Sequence, residues 1–217
     1  YTVISDFRVM RKGAHMAVAS SRVTSIAINQ PVDPEELGGW RLHSEVTGLV
    51  DAVVESDQEV LDTIKKFLSY LPSNAQQIPP EYDVTPGSGQ ESERLLTIVP
   101  EQGSRVYNVL DVLKIIYDKD SLFEIKPSFA KSIVTSLARL NGKTVGVIAN
   151  NPKFKGGSIS VNAMRKATNF LVMCDSFNIP LIFMVDQPGF LIGIDGEKRA
   201  APGRIMNWMN ALQLCTV

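Results

Sequence analysis

The feature that most limits the fold is Asn141-Gly142 with the apolar runs on either side of it. Asn-Gly accepts the positive backbone torsions of a two-residue hairpin turn. Its flanks, Ile133 to Leu140 and Lys143 to Ile148, favour strands. A helix through Phe129 to Leu140 competes, because Phe129, Ile133, Leu137 and Leu140 also keep helical register and Asn-Gly can end a helix. We read the hairpin. Downstream, Val161 to Phe177 spaces Met164, Ala167, Leu171 and Cys174 along one helical face. Ile179 to Val185 is an unbroken apolar run, the pattern of a strand covered on both faces. Strand, helix and strand form a β–α–β crossover. Its right-handed connection brings Asp186 to Glu197 to the carboxyl end of a strand, where open sheets collect ligands.

Upstream, Phe7 to Met10, His15 to Ala19 and Thr47 to Val54 read as strands. Ser56 with Glu59 forms a capping box at the start of a helix. That helix carries Val60, Leu61, Ile64, Phe67, Leu68 and Leu71 as one apolar stripe and stops at Pro72. A short helix is expected over Asn108 to Tyr117 and a strand over Leu122 to Ile125. Between them, residues 74–103 hold Pro79, Pro80, Pro86, Gly87, Gly89 and Pro100, a spacing that favours turns and extended chain. So long a connection is unusual inside one compact domain. The expected division is therefore 1–73, a linker at 74–103, and 104–217.

The formal net charge of -1, from 22 basic and 23 acidic residues, carries no electrostatic footprint for nucleic acid. No apolar run is long enough to cross a bilayer. Cys174 and Cys215, set among apolar residues, read as buried inert thiols. His15 and His43 share no ligand spacing with them, so no metal site is expected. Both ends, at Tyr1 and Val217, read as internal to a longer chain.

The best candidate for chemistry is the loop Asp186-Gln-Pro-Gly-Phe-Leu-Ile-Gly-Ile-Asp-Gly-Glu197. Gly189, Gly193 and Gly196 leave backbone N–H groups approachable, and such groups stabilise the charge that develops on a thioester carbonyl oxygen. A plain surface turn is the competing reading. Asp186 reads as a residue that pins this loop by accepting backbone N–H bonds, with a catalytic base as the alternative. The segment from Asn151 to Gly157, with Lys153 and Lys155, could meet a phosphate or carboxylate or simply be a solvated face. His43, Ser44 and Glu45 do not make a triad, because neighbours on a strand face opposite ways, so His43 reads as structural. Arg11, Lys12 and Arg41 are a weak signal for a nucleotide phosphate. Trp40 and Trp208 read as packing residues.

Several ordered motifs go further. Glu35-Glu-Leu-Gly-Gly39, His43, Thr47-Gly48 and Asp51 resemble the signature of acyl-CoA carboxylase carboxyltransferase subunits. So do FEIKPSFAKSIVTSLARLNG ending at Gly142, VGVIANNP from Val145, CDSFNIPL ending at Leu181, and VDQPGFLIG from Val185 to Gly193. The resemblance spans the chain, and propionyl-CoA carboxylase beta chains and methylmalonyl-CoA decarboxylase subunits are near members. It implies an α/β, crotonase-like β-β-α superhelix built as two related halves, both partial here. Residues 1–73 would then end the acyl-CoA-side half and 104–217 begin the biotin-side half.

The implied activity moves a carboxyl group between carboxybiotin, borne on a separate domain or subunit, and the α-carbon of an acyl-CoA, most similar to propionyl-CoA. The implied site residues are the backbone of Gly189, Phe190 and Gly193 beside the biotin-side pocket, with Pro188, Gly156, Gly157 and Asn150 around the cofactor and Gly38 and Gly39 on the acyl-CoA side. Implied partners are biotin carboxylase and biotin carboxyl carrier components and further copies of the subunit, often in a hexamer. The compartment is bacterial cytoplasm or, in a eukaryote, the mitochondrial matrix. Two oxyanion segments of the family would lie upstream of Tyr1 and downstream of Val217, so this piece alone is expected to be inactive. Gln187, Ile192 and the run after Glu197 depart from the family pattern and leave the acyl preference open. The same resemblance allows a decarboxylase working on a malonyl-type acyl-CoA, or a non-catalytic scaffold.

Overall fold

A computed structural model describes residues 2–84, 93–102 and 105–217. The chain divides into two compact units, residues 1–66 with 126–129, and residues 67–125 with 130–217. Of the joint read from sequence, Pro86, Gly87 and Gly89 lie outside the described residues, whereas Tyr82 belongs to the second unit and donates its backbone N–H to the Gly142 carbonyl at 3.0 Å.

In the first unit, strands β1 (Val9–Arg11) and β2 (Ala52–Val54) pair in parallel, Met10 opposite Val53. Helix α1 (Ser21–Ile28) is capped by the Ser20 hydroxyl, and α2 (Pro34–Gly38) by the Asp33 carboxylate with Pro34 in its first turn. The expected strand at His15 to Ala19 is only a single bridge, His15 to Gly39. Its partner Gly38-Gly39 ends a helix, so no ladder can extend. Residues Leu42–Val46 form a π-helical turn, with the Thr47 N–H bonded to the Leu42 carbonyl, and Gly48 follows at φ +63°. That bend limits the Thr47 to Val54 strand to its last three residues. A Cβ on Gly48 would lie 2.5 Å from the buried Phe129 ring.

Residues 126–129 complete this unit. Lys126 Nζ lies 2.7 Å from Asp51 Oδ1 and donates to the Gly48 carbonyl, and Asp51 also accepts from the backbone N–H and Nε of Arg8. Helix α3 (Asp57–Leu68) starts with the Ser56 hydroxyl accepting from Glu59 N–H. The Glu59 carboxylate returns to Glu55 N–H rather than to Ser56, so the capping box is shifted by one residue. On this helix Phe67 is buried, whereas Leu61, Ile64 and Leu68 are exposed.

The second unit holds α4 (Leu95–Ile98), α5 (Val109–Ile116), and a four-stranded sheet of β3 (Phe123–Ile125), β4 (Ile133–Leu140), β5 (Lys143–Asn150) and β6 (Leu181–Met184) in that order. The hairpin is as expected: β4 and β5 pair antiparallel through Asn141 and Gly142, at φ 52° and 80°. Helix α6 (Val161–Ser176), capped by the Ser160 hydroxyl, crosses over to β6, which runs parallel to β5. Val145, Val147 and Ala149 of β5 pack with Val109, Leu113 and Tyr117 from α5 and its end. On its other face a Cβ at Gly146 would meet Cys174 and Phe170 of α6.

It is thus β5, not β6, that is covered on both faces. Strand β6 ends the strand order, its residues are exposed or half-buried, and the Phe183 ring is met edge-on by Trp208 of α8 (Ala201–Leu214) at 6.1 Å. Cys174 is fully buried and burial pushes its thiol up, but Cys215 is only half-buried, contrary to its sequence reading.

Candidate functional site

Parallel strands β5 and β6 release their following segments at the same end of the sheet. Asn150 is 5% exposed, and its amide donates to the Gly157 carbonyl at 3.0 Å, so its side chain braces the loop from within. Asn151 is also buried. Its amide donates to Asn108 Oδ1 at 2.9 Å, while its own oxygen accepts from the N–H groups of Val109 and Lys153. Gly156 and Gly157 both have positive φ, but only Gly157 is crowded: a Cβ there would lie 2.5 Å from the Asp186 carbonyl oxygen. No other residue allows the two segments to approach so closely.

After β6, Asp186 accepts no backbone N–H group among the described residues, although the sequence suggested that it would. Its Oδ2 accepts from the Tyr107 hydroxyl at 2.7 Å. Burial first, and then that hydrogen bond, push the Tyr107 phenol up to about 12. The next residues lie beside Ile159. Ile159 N–H donates to the Gly189 carbonyl at 3.1 Å, Leu191 N–H donates to the Ile159 carbonyl at 2.9 Å, and Phe190 forms a parallel bridge with Ile159. Gly189 and Gly193 have φ of 131° and 135°, and nothing lies within 4 Å of where their Cβ atoms would be. Gly189 is therefore held by Ile159, and both glycines have open space on the side a Cβ would occupy. The expected loop ends sooner than read, because helix α7 (Ile194–Lys198) begins directly after Gly193.

Between these segments lies a cavity of about 200 Å3 lined by Lys155, Ser160, Asn162, Leu191, Gly193 and Arg199 among others. It is smaller than the roughly 300–1,000 Å3 that usually encloses a whole drug-sized ligand, and suits the end of a longer one. Arg199 pairs with Asp195 at 3.2 Å. The sequence singles out Asn150, Gly156, Gly157, Pro188, Gly189, Phe190 and Gly193, which lie at the end of β5 and on the segments that follow β5 and β6. It does not single out Tyr107, Asn151 as a brace, or Ile159. Tyr107 and Asp186 are 79 residues apart, and no local pattern joins them.

The first unit has its own cavity, about 670 Å3, lined by Val3, Met16, Val18, Leu37, His43 and Leu49 among others. Gly38 packs closely on Met16, which lines this cavity, while Gly39 packs on Glu35, which does not. A Cβ on Gly38 would collide with the Met16 carbonyl, and one on Gly39 with the Glu35 carboxylate and backbone. His43 is structural, as read. Its Nε2 lies 2.6 Å from the Met16 carbonyl, to which it donates, and its Nδ1 lies 3.1 Å from Thr47 Oγ1. With both ring nitrogens engaged, no triad forms.

The weak phosphate candidates are also committed. Arg11 pairs with Asp57 at 3.3 Å and Lys12 with Glu55, while Arg41 stacks on Trp40 at 4.9 Å. Among the described residues no group of three or more His, Cys, Asp or Glu could hold a metal ion.

The whole chain, residues 1–217, matches the model of the carboxyl transferase domain. It is 39% identical over 198 residues to the methylmalonyl-CoA carboxyltransferase 12S subunit of Propionibacterium freudenreichii subsp. shermanii, covering 89% of this chain and 37% of that one. To the mitochondrial propionyl-CoA carboxylase beta chain of Homo sapiens it is 36% identical over 195 residues, covering 89% and 36%. The crystal structure of the transcarboxylase 12S hexamer with hydrolysed methylmalonyl-coenzyme A superposes with a TM-score of 0.91 at 36% identity, over 99% of this chain and 42% of that one. The chain therefore spans well under half the length of these relatives. The α/β, crotonase-like expectation agrees with this structural likeness.

Proposed function

The chain belongs to the carboxyl transferase domain family, and from that premise we propose that it is part of a biotin-dependent carboxyltransferase acting on an acyl-CoA of the propionyl or methylmalonyl type. The observation that carries the reading is the Asp186–Gly193 segment, paired with Ile159 at Gly189 and Leu191 and reaching a small cavity at Leu191 and Gly193, with open space beside both glycines. Such preorganised N–H groups suit carboxyl transfer at the carbon next to a thioester, where charge gathers on oxygen in the transition state.

A biotin head fits this donor set. The cavity offers an apolar wall at Leu191 and polar groups at Ser160 and Asn162 that suit a cyclic urea, with Lys155 and the paired Asp195 and Arg199 also on its lining. When bound, carboxylated biotin supplies the carboxyl group. Pro188, Gly189, Phe190 and Gly193 would hold the head through their backbone, while Asn150 and Gly157 keep the neighbouring loop close to Asp186. Gly38 and Gly39 would shape the acyl-CoA side, where the first unit's cavity is mostly apolar. In this reading residues 1–73 serve the acyl-CoA and 104–217 the biotin, joined by 74–103.

Biotin carboxylase and a biotin carrier would be the partners, and the subunit would assemble with its own copies as the 12S relative does in its hexamer. Relatives are bacterial, archaeal and mitochondrial, which fits either cytoplasm or mitochondrial matrix. The test is transfer of labelled carboxylate from carboxybiotin to a panel of acyl-CoAs by the full-length subunit. Propionyl-CoA is expected to accept label best, and transfer to no member of the panel would overturn the reading. Loss of carboxylate from a malonyl-type acyl-CoA would be the same chemistry run backwards.

A further inference from the structure

We propose that Tyr107 is a positioning residue for the glycine segment after β6, acting through Asp186 in a closed ring of contacts that also joins Asn108, Asn151, Asn150 and Gly157. This rests on the placement of that segment at the reacting centre, as argued above. The ring can be followed atom by atom. Asn150 donates to the Gly157 carbonyl, and Gly157 lies against the Asp186 carbonyl with no room for a side chain. The Asp186 carboxylate accepts from the Tyr107 hydroxyl, and the next residue, Asn108, accepts from the Asn151 amide. Asn151 follows Asn150 in the chain, which closes the circuit.

The start of helix α5 thus ties together the ends of β5 and β6, the two points from which both candidate loops emerge. Near its glycines, among the described residues, the Asp186–Gly193 segment is also held by the short pairing with Ile159 and by the Glu197 N–H on the Gly193 carbonyl. The bond from the Tyr107 hydroxyl to Asp186 Oδ2, at 2.7 Å, therefore adds a tie between the start of helix α5 and the start of this segment. The phenol keeps its proton through the physiological range, since it titrates at about 12, so the donor is always available. Asp186 in turn has a part that needs only an acceptor atom at Oδ2 and not a negative charge. That separates it from a general base, for which the charge is essential.

The experiment uses the full-length subunit with Tyr107→Phe, Asp186→Ala and Asp186→Asn, reading amide hydrogen exchange at Ile159 and Leu191 and, in parallel, carboxyl transfer to propionyl-CoA. Tyr107→Phe and Asp186→Ala should speed exchange by roughly threefold to tenfold, the loss expected for one ordinary hydrogen bond. Asp186→Asn, whose Oδ1 still accepts from the phenol, should stay near wild type. Transfer should follow the same order, with kcat falling and the KM for acyl-CoA unchanged. Exchange unaltered in Tyr107→Phe overturns the ring, whatever the activity. Faster exchange with full transfer retained overturns the placement of the segment at the reacting centre. Asp186→Asn that keeps its exchange protection but loses transfer overturns the positioning role in favour of a base.

Discussion

Replacing Gly146 by alanine tests how closely helix α6 lies on the sheet. A Cβ at 146 would stand 2.6 Å from Cys174 Sγ, 3.0 Å from a Leu181 methyl and 3.3 Å from the Phe170 ring. Ordinary contacts between such atoms begin near about 3.5 Å, so the sulfur must retreat by roughly 1 Å. It has nowhere free to go, because Cys174 is fully buried and Phe170 and Leu171 beside it are 3% and 2% exposed. Overpacking of this kind costs about 1–3 kcal/mol. For a chain of 217 residues, ~2 kcal/mol lowers the melting temperature by roughly 4–8 °C.

Cys174→Ala removes the obstructing sulfur at a cost on the order of 1 kcal/mol. In the double variant the new methyl at 146 occupies the vacated space, so the two losses should fall short of their sum by about 1 kcal/mol or more. Urea denaturation of the four proteins, followed by circular dichroism, measures this coupling. Losses that add to within about 0.5 kcal/mol would refute the close packing of Cys174 on Gly146.

Asp51→Asn keeps the shape of the Arg8–Asp51–Lys126 cluster but leaves the buried Lys126 ammonium, 5% exposed, without its carboxylate. A loss of about 3–5 kcal/mol is expected in urea denaturation, partly recovered by adding Lys126→Met, and a loss under about 1 kcal/mol would contradict it. Gly157→Ala and Gly156→Ala both pay the torsional penalty of roughly 1–2 kcal/mol, but only the first meets the Asp186 carbonyl. Thermal melts should therefore separate them, and equal losses would argue against the close approach. The N–H of Thr216, at 2.7 Å, holds the Asp175 carboxyl below its ordinary value. With the folded value depressed, its stabilisation is complete above about pH 4 and fades as pH falls through the folded value. Exchange of the Thr216 amide, corrected for its intrinsic rate, should accelerate on acidification below that point and stay flat between pH 5 and 7.

What could be read from sequence was local. Asn141-Gly142 carries its own torsional requirement, Ser56 marks the start of its helix, and the period of Val161 to Ser176 carries its face. The errors came where the deciding partner was remote. An apolar run does not say whether a strand is central, so Ile179 to Val185 read as covered although β5 is the covered one. His15 to Ala19 alternates like a strand, but its neighbour is the end of a helix. At the candidate site the glycines announced themselves. The reason for Gly157 did not, because it depends on an Asp186 carbonyl reached through a helix and a strand. Tyr107 gave no signal at all.

The return of residues 126–129 to the first unit has a consequence for order of assembly. Synthesis delivers Asp51 early, yet its ammonium partner arrives only after a further 75 residues, as 126 − 51 shows. Until then the nascent first unit holds Arg8 and Asp51 without Lys126, and Gly48 without the Phe129 ring that packs on it. A polypeptide stopped at residue 73 or 103, where the sequence suggests a boundary, should therefore be unable to complete its own interior. Supplying residues 126–129 as a tethered segment should be enough to restore cooperative unfolding to it.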